Sequence, residues 1–274
     1  MMDKNRPIGV FDSGIGGLSV LKQFIRFLPY EKYIYLGDTA RVPYGNKSEE
    51  TVKRYALEST NFMLEHNVKM IVVACNTVSS VALETVREQS DVPVIGMILP
   101  AAAAAVRATI NGRIGVIGTR ATINSNAYSE AIYQLSNSES INIISQACPL
   151  FVPIVEEGWL RHPATRIVAE EYLAPLLQDE VDTLVLGCTH YPLLSQMLTE
   201  LMPGVSQIDS GEHAAVTAIR VLGEQGCLRD ERKEYIIKPE VEFFVTDVPS
   251  TFYEVAQRFL GFSVGKTNMV KIWK

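Results

Sequence analysis

Short apolar runs recur along the chain, each followed by a turn and then by a stretch with a helical pattern. The runs predict strands over 8–11, 33–36, 70–74 and 94–96. The intervening patterns predict helices over 18–28, 48–66 and 77–88, and Pro100 opens an alanine-rich helix. The order then begins again. Strands are expected over 114–117, 141–145, 183–186 and 205–208, with helices over 124–135, 165–177, 191–201 and 211–222. A strand over 243–246, a helix over 250–259 and a last strand near 269–272 close the series. Strands alternating with helices predict an α/β fold built from mostly parallel sheets flanked by helices.

The second series echoes the first. Ile8-Gly9-Val10-Phe11-Asp12-Ser13 resembles Ile114-Gly115-Val116-Ile117-Gly118-Thr119. The run from Met70 through Ala74-Cys75-Asn76-Thr77 resembles Thr183-Leu184-Val185-Leu186-Gly187-Cys188-Thr189-His190. Two matches in the same order, at similar offsets, suggest two related α/β domains.

Composition narrows the function. The 274 residues are 47% hydrophobic and 20% charged, which excludes disorder as a description of the whole. A net charge of −6 without a basic block argues against a nucleic-acid partner. No apolar run is long enough to span a bilayer, so no membrane insertion is expected. Residues 1–6 are polar and lack an apolar signal region, which sets the expectation of a cytoplasmic protein. The four cysteines form no CxxC pair, and free thiols in a reducing compartment are expected.

Where two of those thiols sit is informative. Cys75 and Cys188 each follow a strand and precede a helix, the position at which open α/β sheets bind ligands. A helix N-terminus there is expected to favour thiolate. Their polar successors, Asn76-Thr77 and Thr189-His190, are odd for a buried strand end. His190 can serve Cys188, or cap a helix. Asp12 can serve Cys75, or cap the helix after it. Asp12-Ser13-Gly14-Ile15-Gly16-Gly17 matches neither a dinucleotide nor a Walker loop, and its leading carboxylate would repel phosphate. Its backbone amides could cradle a small carboxylate. Pro43-Tyr44-Gly45 could supply a phenol and amides, or be a plain turn. Glu156 could assist the second thiol, meet a substrate ammonium, or end a solvated helix. Cys148 and Cys227 have no polar constellation and read as structural. Cys188 and His190 lack further local ligands, so no metal is expected.

Asp12-Ser13-Gly14-Ile15-Gly16-Gly17, Pro43-Tyr44-Gly45, Ala74-Cys75-Asn76-Thr77 and Gly187-Cys188-Thr189-His190-Tyr191-Pro192 resemble, in order, the motifs of the bacterial glutamate racemases of the aspartate/glutamate racemase superfamily. The segments from Ile114 to Thr119 and from Cys148 to Glu156 are similar too, so the resemblance spans about residues 8–260. It implies two pseudo-symmetric α/β domains, 1–97 with 210–274 and 98–209, with the active site between them. It implies interconversion of L- and D-glutamate without a cofactor, D-glutamate serving peptidoglycan, and it allows a homodimer. Carried over residue by residue, it makes Cys75 and Cys188 the acid/base thiols, with Asp12, His190 and Glu156 beside them. Substrate contacts fall to Asp12, Ser13, Pro43, Tyr44, Gly45, Asn76, Thr77, Thr119, Thr189 and His190. Val42 departs from the cysteine often found before Pro-Tyr-Gly, a position that is neither base. Three rival readings remain: racemisation of aspartate or a hydantoin; a non-catalytic ligand-binding or inhibitory protein that keeps the fold, against which both thiols and both flanking partners argue; and a Cys188–His190 hydrolase that gives no reason for Cys75.

Overall fold

The computed structural model describes residues 3–136, 140–230, 239–248 and 250–273. Ten strands in these residues form two sheets, parallel throughout. The first sheet holds β1 (Ile8–Asp12), β2 (Lys32–Gly37), β3 (Met70–Val73), β4 (Val94–Gly96), β9 (Glu240–Val245) and β10 (Thr267–Met269) in the order β10-β9-β2-β1-β3-β4. The second holds β5 (Arg113–Gly118), β6 (Asn142–Ala147), β7 (Thr183–Gly187) and β8 (Ser206–Asp209) in the order β6-β5-β7-β8. The order β2-β1-β3-β4 thus recurs as β6-β5-β7-β8, so β1 corresponds to β5 and β3 to β7. The two sequence echoes fall on these two pairs of strands.

The helices are α1 (Leu18–Phe27), α2 (Glu49–Glu65), α3 (Asn76–Val81), α4 (Leu83–Gln89), α5 (Ile98–Ala108), α6 (Arg120–Asn124), α7 (Ala127–Ser136), α8 (Phe151–Glu156), α9 (Pro163–Gln178), α10 (Ser195–Leu201), α11 (Ser210–Glu224) and α12 (Phe252–Leu260). Several differ from the sequence pattern for visible reasons. The helix expected over 77–88 breaks at Ala82, whose backbone leaves the helical region. The one expected over 124–135 is displaced because Asn126, at φ 56°, separates α6 from α7. The one expected over 191–201 opens as a 3-10 turn containing Pro192, which cannot donate a helical hydrogen bond. At α8 the pattern marks no helix span, only Glu156 as a candidate helix end, because Pro149 and Pro153 stand within five residues of the chain.

Strand side chains alternate between two packed faces, as a sheet covered on both sides requires. Val10, Met70 and Val72 join a buried cluster that continues through α1 and α11 to Leu184 and Leu186 of the second sheet. Phe11, Ile71 and Val73 face a separate cluster with Val52, Met63 and Val86 of α2 and α4. Because every strand is parallel, each sheet gathers its carboxyl ends on one edge. Asp12, Asp38 and Cys75 end or follow β1, β2 and β3; Thr119, Cys148 and Cys188 follow β5, β6 and β7. Among the described residues, no helix is long and apolar enough to cross a membrane.

Candidate active site

The two carboxyl edges face one another across a cavity of about 430 Å³, within the roughly 300–1,000 Å³ of typical small-molecule sites. The first sheet contributes Ser13, the 42–46 loop, Cys75, Asn76 and Thr77; the second contributes Thr119, Glu156, Cys188, Thr189 and His190. The halves meet closely here. A Cβ on Gly16 would lie 2.3 Å from Thr189 Oγ1 and 2.4 Å from His190 Cε1, so only glycine fits. The Ser19 hydroxyl of α1 donates to the Thr189 carbonyl at 2.6 Å.

The two thiols have different surroundings. Cys75 is buried and donates to Ser13 Oγ at 3.4 Å. Burial and the nearby Asp12 carboxylate push its thiol up to about 12. The sequence suggested a thiol lowered by a helix N-terminus. At Cys75 the following helix has only six residues, and burial dominates. Cys188 is followed by a 3-10 turn instead of an α-helix, so that expectation also lacks its helix there. Its sulfur lies 3.8 Å from His190 Nδ1, and His190 Nε2 lies 2.9 Å from Glu156 Oε1. Burial opposes the imidazolium, but hydrogen bonds to Cys188 and Glu156 outweigh it and hold His190 up at about 10. A cationic histidine therefore stands between a sulfur and a carboxylate.

Not every expected contact reaches the cavity. Asp12 is 2% exposed and lies beneath the glycine turn, outside the cavity lining. Its Oδ2 accepts from the Gly14 amide at 3.0 Å, while Oδ1 has no hydrogen-bond partner among the described residues. Burial raises its carboxyl, with the Gly17 amide and the His190 charge opposing. Tyr44 lines the cavity, but its hydroxyl is taken by Asp38, which lies outside the lining. Asn76 Oδ1 accepts from the buried Tyr128 hydroxyl at 2.6 Å. Thr77 and Thr119 share a hydroxyl hydrogen bond at 2.9 Å, one from each half of the molecule.

A family profile described as Asp/Glu/Hydantoin racemase matches residues 8–218. The chain is 48% identical to the glutamate racemase of Syntrophus aciditrophicus (strain SB), over 99% of this chain and all of the relative. The chain belongs to the Asp/Glu/Hydantoin racemase family. Solved structures agree. The glutamate racemase of Francisella tularensis, in complex with D-glutamate, superposes with a TM-score of 0.90 at 38% identity, covering 98% of each chain. That of Thermus thermophilus, in complex with beta-chloro-D-alanine, gives 0.85 at 42% identity, again over 98% of each. The chain groups with the glutamate racemases of its family and is an amino-acid racemase; its two α/β domains are those of the family.

Two lining residues of this racemase carry no signal in the sequence: Arg120 and Asn46 line the cavity but belong to no motif that points to chemistry. Arg120 sits one residue beyond Thr119, whose side chain caps α6 by accepting from the Thr122 amide, a spacing that marks a helix start. The supports behind the lining, Tyr35 on the Gly14 carbonyl and Tyr128 on Asn76, come from distant sequence positions and leave no local signal.

Proposed function

We propose that this racemase interconverts L- and D-glutamate by removing the α-proton on one face and returning a proton on the other, with Cys75 and Cys188 as the two groups. The observation that carries the reading is their placement: equivalent strand ends of two repeated sheets, lining one cavity from opposite sides. A carbanion at an α-carbon inverts only if loss and return occur on different faces. Two monoprotic groups achieve this without turning the substrate over.

In each turnover one sulfur is thiolate and the other thiol. The thiolate takes the α-proton and becomes a thiol, while the C–H electron pair remains on the α-carbon and delocalises into the adjacent carboxylate. The opposite thiol then donates its proton to that carbon and becomes the thiolate. The reverse direction exchanges the roles, and solvent exchange resets the pair. The surroundings support this division. Cys75, raised by burial and Asp12, is the resting thiol. An anion formed on Cys188 faces the His190 cation, which Glu156 holds in place. The hydroxyls of Ser13, Thr77, Thr119 and Thr189, together with the 43–45 turn, form the polar wall for the two substrate carboxylates.

The same reading takes residues 1–97 with 210–274 as one domain and 98–209 as the other, supported by the strands each span supplies to its sheet. It also needs both thiols reduced, which suits the cytoplasm. D-glutamate made there would supply peptidoglycan. The test is optical rotation or circular dichroism of purified protein with L-glutamate, aspartate and glutamine in turn. Glutamate should be turned over at least about tenfold faster than the other two, because a site that pairs a distal carboxylate at fixed reach discriminates by roughly that much. Equal rates for all three would move the assignment to a broader racemase.

A further inference from the structure

The 42–46 wall of the cavity is held from outside by a cluster that the reaction itself does not use. Asp38, which directly follows β2, is fully buried. Its Oδ1 accepts from Thr246 Oγ1 at 2.8 Å; its Oδ2 accepts from Arg41 Nε at 2.6 Å and from the Tyr44 hydroxyl. Arg41 reaches on to Glu58 of α2. Its guanidinium lies 3.9 Å from the ring centre of Tyr55 and 4.6 Å from that of Trp273. The segment carrying Trp273 follows β10 and is itself anchored. The Val270 amide donates to the Val245 carbonyl at 2.9 Å, and Val270 and Ile272 pack on the cluster that contains Tyr44 and Cys75. Neither Arg41 nor Trp273 lines the cavity.

We propose that Arg41, clamped between Tyr55 and Trp273 and tied to Asp38, is a positioning residue that fixes the Pro43-Tyr44-Gly45 turn, and that the segment after β10 thereby sets how tightly this site holds its amino-acid substrate. The physical basis is geometric. A planar guanidinium can stack between two rings and donate sideways to carboxylates at once, a combination an ammonium does not reproduce. The turn is tied to Asp38 through the Tyr44 hydroxyl, and Asp38 is tied in turn to Arg41 and Thr246. Loosening the stack therefore frees the wall without touching either thiol. The effect belongs on substrate affinity and not on the proton-transfer step.

The inference rests on the proposed glutamate reaction, and its test separates the two. Trp273→Ala and Arg41→Lys should each raise KM for L-glutamate about tenfold while kcat stays within about threefold, the pattern of lost positioning contacts. Trp273→Phe, which restores a ring over the guanidinium, should recover most of the affinity. A second measurement needs no loss of packing. The chain has two tryptophans, so Trp159→Phe leaves Trp273 as the sole indole. Its emission should change on saturation with D-glutamate, with a midpoint that tracks KM. An active unmodified protein paired with an unchanged KM in folded Trp273→Ala would overturn the clamp, as would flat emission at saturating D-glutamate. An unmodified protein that leaves glutamate unturned would instead count against the substrate reading.

Discussion

Glu156 Oε1 lies 2.9 Å from His190 Nε2, on the side of the imidazole away from Cys188. The carboxylate is one of two partners that keep the ring protonated against the cost of burying its charge. Glu156→Gln keeps the shape and removes the charge. His190 should then titrate below about 10, and the alkaline limb of the pH–kcat profile should move to lower pH. At neutral pH kcat should fall by about tenfold, less than the roughly 10²–10⁴ lost with a group that itself transfers the proton, because Glu156 only supports His190. Steady-state rates across pH in both directions check this. An unmoved alkaline limb would remove Glu156 from the account.

The pH dependence of stability carries a definite sign. His190 is raised from an ordinary 6.5 to about 10 in the folded protein. Its stabilisation is therefore complete below about 6.5 and is lost as pH rises through about 10, because the native state binds the extra proton in that window. Cys75, raised from 9.0 to about 12, acts in the same direction from pH 9 upward: the unfolded thiol ionises while the buried one does not. Thermal melting should thus decline from pH 7 to pH 10. His190→Asn should flatten that decline even though its melting point at pH 7 is lower. A slope equal to that of the unmodified protein would contradict the assignment of the proton to His190.

The four cysteines should divide cleanly. Cys75→Ser and Cys188→Ser should each lower net racemisation by at least about 10³, the upper part of the range for losing a proton-transfer group, since a serine hydroxyl is far too weak an acid to alternate roles. Cys148 is buried, with its sulfur 3.6 Å from the Gln146 carbonyl and outside the cavity lining. Cys227 is buried outside the cavity lining, with its carbonyl accepting from Lys69. Serine at either should leave turnover within a few-fold. Circular dichroism of each variant, to verify folding, and turnover of L-glutamate are the measurements. Strong activity in Cys75→Ser would defeat the two-thiol account.

Much of this architecture is legible in the sequence because buried parallel strands write continuous apolar runs. β1, β3 and β7 are wholly buried and stand out at once. The edge strands β6 and β10 are mostly half-exposed, and their limits are read less well: β10 runs Thr267–Met269 where the pattern suggested 269–272. Helix interruptions are backbone events. Ala82 is an ordinary helix former, and nothing local announces that the chain bends there. The site divides in the same manner. Cys75, Asn76, Thr77, Cys188, Thr189 and His190 are visible because polar residues at the end of an apolar strand are anomalous. The burial of Asp12 and the turning of Tyr44 toward Asp38 depend on neighbours far away in sequence, so only the folded chain reveals them.

The central claim is that two different groups act on opposite faces of the α-carbon, and isotope incorporation tests it most directly. L-glutamate is run to low conversion in deuterium oxide, and the α-position of both enantiomers is examined by mass spectrometry or NMR. With Cys75 and Cys188 as separate groups, one removes the substrate proton and the other, already exchanged with solvent, delivers a deuteron. The D-glutamate formed should carry deuterium at the α-carbon while unreacted L-glutamate stays protiated. A single base serving both faces would return part of the original hydrogen to the product, so substantial protium in early D-glutamate would contradict the account.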